Sequence, residues 1–292
     1  MKPKETKNIA HSIRSRLLAK ANNNGPLFQR LMIRFVHERF LYRLSKSKYA
    51  GNLVLKGGNL LFIYLGNLSR PTKDIDFLGI NIKNDRNYLK EVIKEICDIE
   101  VEPDGIEFDT TNILDEEITI KNKYPGVRIS LIALISTMRV SLKFDIGFGD
   151  IVIPGPDLVE LKPLLENFQT ALVKAYPLET LFAEKLETMF TKGILNSRMK
   201  DYYDLYWLIK TINYNENRLE RAIIATFSNR NTEISNEREL LKNDLRKNAE
   251  LNMRWEYFLK EMKEEEMTKF SDVVTEIFTF IDPLLDSIQN KK

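Results

Sequence analysis

Hydrophobic and polar positions follow three successive rhythms along this chain. Over residues 4–21, Ile9, Ile13, Leu17 and Leu18 recur at helical spacing, and the Asn-Asn-Asn-Gly-Pro run at 22–26 ends the element. Residues 27–46 read as a second helix with Phe28, Leu31, Phe35 and Phe40 near one side. From Gly51 to Pro156 the texture changes to short apolar runs cut by Gly, Pro and Asp. There "GVRISLIALIS" and "VSLKFDIGFGDIVIP" are rich in β-branched residues and predict strands, while "RNYLKEVIKEIC" (86–97) predicts a helix between strands. After Pro163 the pattern reads as helical to the C-terminus. "PLETLFAEKLETMFTKG" has proline in its first turn and glycine just past its end, and "SRMKDYYDLYWLIKTI" follows as another helix. The mixed-charge tract 236–268 predicts a solvated helical face laced with ion pairs. The expected fold class is α+β: helices packing on the core (1–48), a core mixed sheet with flanking helices (49–165), and a C-terminal helical bundle (166–292).

Composition narrows this little. The 292 residues are 43% hydrophobic and 29% charged, the balance of a globular protein with room for a large core. Lys and Arg number 44 against 42 Asp and Glu, so any basic surface for nucleic acid must be local. The lone Cys97 cannot form an internal disulfide and points to a reducing compartment. No stretch approaches the roughly 20 apolar residues of a membrane span. The charged N-terminus lacks a signal-peptide core, so a cytoplasmic location is expected. With only His11, His37 and Cys97 as soft donors, zinc is disfavoured, and any metal must be held by oxygen, as magnesium and manganese are.

The chemistry-bearing stretch is "LVLKGGNLLFIYLGNLSRPTKDIDFLG" (53–79). Residues two apart on a strand share a face, so Arg70, Thr72, Asp74 and Asp76 would line one side of a strand, with Ile75 and Phe77 on the other. Carboxylates so close repel one another and are stable together when a cation lies between them. The bland alternative is a solvated acidic turn. A second strand, "RVSLKFDIGFGD", buries Val140, Leu142, Phe144 and Ile146 and leaves Asp145 on its polar face. There Asp145 would complete a three-carboxylate metal set. Asp150, in the following turn, is the weaker candidate. Lys56-Gly57-Gly58 would add a phosphate-binding step where a strand turns into a short buried helix.

Two later charges lie on apolar stripes. Lys185 shares a helical face with Leu178, Leu181, Phe182 and Met189, so its ammonium either snorkels to the rim or meets a phosphate. Glu184 falls off that stripe and is expected in solvent. Asp201 shares a face with Leu205 and Leu208, with Asp204 three residues on; it could pair with Lys185 or Arg198, or act as a base. The neighbouring Tyr202, Tyr203, Tyr206 and Trp207 could stack on a base, although such spacing is more often core.

With these residues in place the chain resembles the AbiEii/AbiGii family of nucleotidyltransferase toxins, within the DNA polymerase β-like superfamily. The likeness covers residues 50–210 and rests on "LKGGNLLF…SRPTKDIDF", "KFDIG", "LFAEKLET" and "RMKDYYDLYWL", in the family's order. Gly57-Gly58 stands where the family's usual first motif has Gly-Ser, and the step from Gly58 to Asp74 is long. The resemblance implies a polymerase β-like mixed sheet and a C-terminal helical domain enclosing a cleft for a nucleoside triphosphate and Mg2+ (or Mn2+). It implies Asp74 and Asp76 as metal ligands, Lys185 on the triphosphate and Asp201 as the acidic residue of the last motif. Lys56, Gly57, Gly58, Arg70 and Thr72 would assist nucleotide binding. The implied function is transfer of a nucleoside monophosphate to an RNA acceptor in toxin–antitoxin or phage-defence systems, with a cognate antitoxin as partner. MenT-type relatives modify the 3′ end of tRNA. Two other readings stand beside it: an AMPylating enzyme with a protein acceptor, and a catalytically idle nucleotide-binding partner.

Overall fold

In the computed structural model, residues 3–66, 69–118, 125–234, 237–263 and 268–291 are described. The described residues form seven strands, with clear period-two alternation in β4, β5 and β7: β1 (Leu53–Lys56), β2 (Asp74–Gly79), β3 (Ile106–Ile118), β4 (Gly126–Ile135), β5 (Met138–Gly147), β6 (Asp157–Leu161) and β7 (Ala171–Ala175). They form one mixed sheet in the order β3-β4-β5-β2-β1-β7-β6. The β2/β5 and β1/β7 pairs are parallel and the others antiparallel.

Helical periodicity gives α1 (Pro3–Lys20), α2 (Gly25–Lys46), α3 (Gly57–Leu65), α4 (Arg86–Cys97), α5 (Leu178–Lys192), α6 (Met199–Thr211), α7 (Glu216–Asn229), α8 (Arg238–Lys247), α9 (Ala249–Met262) and α10 (Phe270–Asn290). Asn24, Asp85, Asn215 and Asn248 cap α2, α4, α7 and α9, each accepting a backbone N–H three residues on.

The chain divides into two compact units: Met1–Ile63, Thr72–Gly149 and Asp157–Ala175 in the first, and Tyr64–Pro71, Asp150–Pro156 and Tyr176–Lys292 in the second. In the first, α2 packs on the apolar face of β5, where the Phe40 and Phe144 rings lie 4.3 Å apart between centroids. That packing leaves Ser141, Lys143 and Asp145 on the opposite face. Helix α2 also buries Arg39 fully, a guanidinium charge that its apolar pattern did not announce. Its Nε donates to Asp104 at 3.1 Å, and Arg43 donates to the same carboxylate at 2.6 Å. Burial of those cations is tolerable because each has a carboxylate partner.

The second unit is helical, with a core of Phe182, Leu186, Met189, Leu205, Ile223, Phe227, Trp255, Ile277 and Phe278. Helices α8 and α9 cover most of the mixed-charge tract and carry i,i+3 and i,i+4 pairs such as Lys242–Glu239 and Arg254–Glu250; positions 236 and 264–267 of that tract lie outside the described residues. Among the described residues no helix is long and apolar enough to cross a membrane.

Two expectations need correction. The chain is not uniformly helical after Pro163, because Ala171–Ala175 is a strand, paired antiparallel with β6 and in parallel with β1. Ala171, Val173 and Ala175 are buried and alternate with the exposed Leu172 and Lys174, a period-two signal too short to stand out from helical surroundings. Strand β2 begins at Asp74, so Arg70 and Thr72 precede it instead of lining its face.

Candidate active site

The site is built from the junction of β1 and α3. At Gly57 φ is +67°, a left-handed turn that sends the chain from strand to helix. A Cβ at Gly57 would stand 2.0 Å from Asp76 Oδ2, and one at Gly58 would stand 2.8 Å from the Thr72 side chain. The two glycines are therefore required by the close approach of α3 to Thr72 and Asp76.

Strand register assembles what no local pattern contains. Lys56 pairs with Asp76, Asp76 with Asp145, Asp145 with Arg128, and Arg128 with Glu116. Residues in register share a face, so a single row of charges, +−−+−, runs across five strands. Asp74 lies on the same face as Asp76 and pairs with Lys143. Both carboxylates are half-buried, whereas Ile75 and Phe77 between and beyond them are fully buried.

Asp145 stands beside Asp76 as expected, and both of its oxygens are engaged. Arg128 Nε donates to Oδ1 and Nη2 to Oδ2, each at 2.7 Å, while Nη1 donates to Glu116 at 3.1 Å. These hydrogen bonds with Asp145 raise the Arg128 pKa above its ordinary value, and the Asp74 charge adds to the effect. Among the described residues, no group of three or more His, Cys, Asp and Glu side chains stands arranged to hold a metal ion. The donor set in hand is the Asp74/Asp76 pair, with Asp145 committed to a guanidinium.

In the second unit, Lys185 is buried, and its Nζ donates to Asp201 at 3.2 Å and to Asp204 at 2.6 Å. Arg70 comes to this cluster, with Nε 3.1 Å from Asp204, and Arg198 lies 3.0 Å from Asp201. Burial alone would raise the Asp201 carboxyl, but the Lys185 and Arg198 charges outweigh it and hold the pKa below the usual carboxylate range. Both partners considered for Asp201 are thus present at once. Tyr202 and Tyr203 are core residues.

Glu184 is not solvated. It accepts from the Tyr176 hydroxyl at 3.2 Å and pairs with Arg230, whose guanidinium also meets Asp150 and Glu187. The stripe argument failed there because Arg230, far along the chain, reaches a position the α5 pattern marks as outward.

Sequence reasoning missed Arg128, and Asp204 as the shared acceptor. For Arg128 a signal existed, since it alternates with buried Val127, Ile129 and Leu131 and so had to lie on the polar face.

The first unit thus sets a carboxylate pair on β2 beside the Gly-Gly step from β1 into α3. The family described as "Nucleotidyl transferase AbiEii toxin, Type IV TA system" matches residues 39–276. The chain belongs to this AbiEii nucleotidyltransferase toxin family. Its fold is similar to that of an H. pylori protein assigned as a nucleotidyltransferase, at 16% identity and TM-score 0.54 over 90% of this chain and 98% of that one. It is also similar to JHP933 from Helicobacter pylori, at 15% identity and TM-score 0.54 over 90% and 94%. No curated protein matches the chain.

Proposed function

We propose that this nucleotidyltransferase moves a nucleoside monophosphate from a nucleoside triphosphate to a hydroxyl of an RNA acceptor, and acts in the cytoplasm as the toxin of a toxin–antitoxin pair. The observation that carries the reading is Asp74 and Asp76 on one face, with Asp76 in register with Asp145. A magnesium or manganese ion fits this set: the donors are all carboxylate oxygens, and magnesium is commonly held by one or two carboxylates, water and substrate phosphates. When bound, the ion would neutralise charge developing on the reacting phosphate.

Asp74 and Asp76 would hold it, and Asp145 would complete the set once Arg128 yields. The backbone N–H groups opening α3 at Gly57 and Gly58, with Lys56 beside them, suit a phosphate. Thr72, whose Oγ1 donates to the Asp74 carbonyl at 3.2 Å, supports the same segment. Lys185 is assigned to the triphosphate, with Arg70 assisting; two of the three Lys185 N–H donors are used by Asp201 and Asp204. Asp201 holds that lysine in place. The acceptor oxygen attacks the α-phosphorus, its proton leaves to solvent or a nearby carboxylate, and the bond to pyrophosphate breaks.

The deciding experiment incubates the protein with each of four labelled triphosphates, magnesium and total cellular RNA and protein. Label in RNA supports the proposal. Label in protein instead makes the chain an AMPylating-type enzyme. Thermal stabilisation by magnesium-nucleotide with no label anywhere makes it an idle nucleotide-binding partner.

A further inference from the structure

Strand β1 ends at Lys56, which pairs with Asp76, so no β1 residue lies beside Asp74. The Asp74 carbonyl is met by side chains there: Asn59 Nδ2 donates to it at 2.8 Å and Thr72 Oγ1 at 3.2 Å. Because the Asn59 amide nitrogen faces Asp74, its Oδ1 is the atom facing His37 Nδ1, 3.1 Å away. An oxygen cannot donate, so His37 carries its proton on Nδ1. Burial pushes the His37 pKa down to about 4, which keeps the ring neutral near pH 7.

The other ring nitrogen, Nε2, is buried with no hydrogen-bond partner among the described residues. An unmet buried acceptor is costly, and a leucine would fill the space without that cost. A histidine at this place is explained by what its Nδ1–H does. The relay runs from α2 through the first turn of α3 to the strand residue that carries a carboxylate of the pair.

We propose that Asn59 and His37 are positioning residues that set Asp74 for divalent-metal binding; this rests on the metal reading given above. Outer partners that orient a ligand typically change metal affinity about 10–100-fold when removed. The test titrates Mn2+ alone into the nucleotide-free full chain, followed by electron paramagnetic resonance, with melting temperatures recorded in parallel. Variants are N59A, H37L, which keeps volume and loses the donor, and H37N, which keeps a donor at the Nδ1 position and loses volume.

The expected result is Mn2+ binding about 10–100-fold weaker in N59A and H37L and within about threefold of wild type in H37N, while melting temperature follows volume instead. Wild-type Mn2+ affinity in N59A overturns the proposal. So does an affinity that tracks melting temperature across the two His37 variants, because that is what packing alone would do. A D76N control separates the two levels of inference: if wild type binds no Mn2+ with or without a nucleoside triphosphate present, or D76N binds it undiminished, the metal reading itself fails and the relay falls with it.

Discussion

Arg128 grips Asp145 with two parallel hydrogen bonds, both 2.7 Å long, side by side on β4 and β5. A bidentate guanidinium is the strongest neutral-pH partner a carboxylate has among side chains. Here it sits where a metal ion would compete for the same oxygens. R128A should therefore tighten Mn2+ binding, since it removes a unit positive charge from beside the carboxylates. About tenfold, equivalent to roughly 1.4 kcal/mol, is expected for partly exposed charges at this range. Weaker Mn2+ binding in R128A would show that the arginine supports the site.

Asp76→Asn removes a ligand charge but almost no volume. Transfer activity should fall at least about a hundredfold, with far-ultraviolet circular dichroism unchanged and the melting temperature close to wild type. Retained turnover in a folded D76N protein would remove Asp76 from the proposed metal site.

Gly57→Ala places a methyl group 2.0 Å from the Asp76 carboxylate, at a residue whose φ is +67°. Either Asp76 must move or the turn must open. A stability loss of about 1–3 kcal/mol is expected from the backbone conformation alone, read as a lower denaturation midpoint. Mn2+ affinity should fall with it, because Asp76 cannot keep its place.

Lys185 neutralises two buried aspartates, so K185M leaves charge behind. Removing one partner of a buried pair costs about 3–5 kcal/mol, and Arg70 and Arg198 remain to bring the loss towards the lower end. The double variant K185M/D201N should be more stable than K185M in urea denaturation. Equal or lower stability in the double variant would mean that the cluster does not behave as one charge-balanced unit.

Glu38 supplies a pH test. Burial, its largest influence, raises its pKa from 4.5 to about 7, although Leu164 N–H donates to its Oε2 at 2.6 Å. A carboxyl with a raised folded-state pKa binds protons more tightly when folded, so stability is lost as pH rises from about 4.5 through 7 and is level above that. E38Q has no such titration. Its stability relative to wild type should grow across that interval by on the order of 3 kcal/mol, measured by denaturation at pH 4.5 and 8. A constant difference between the two proteins would refute the assignment.

Most local elements and the chemistry they carry were legible in the residue order, β7 and the start of β2 excepted. Helices α1, α2 and α4 fall where the 3.6-residue period puts them, and the alternation in β4 and β5 already separates buried Phe144 and Ile146 from Asp145. Asp74 and Asp76 share a face because any strand puts i and i+2 together. For Lys185 the apolar stripe left two readings open, a charge that snorkels to the rim and one that meets a phosphate. Which partners meet is settled by packing. The register that puts Asp145 beside Asp76 joins residues about 70 apart in sequence by backbone hydrogen bonding alone, a relation with no local signature. Arg128 reaches Asp145 across a different strand pair, Arg70 leaves the β2 segment for Asp204, and Glu184 is drawn from an expected solvent position by Arg230. Periodicity reports which way a side chain points relative to its own element, whereas an ion pair depends on what another element brings there, and that is settled only when the chain packs.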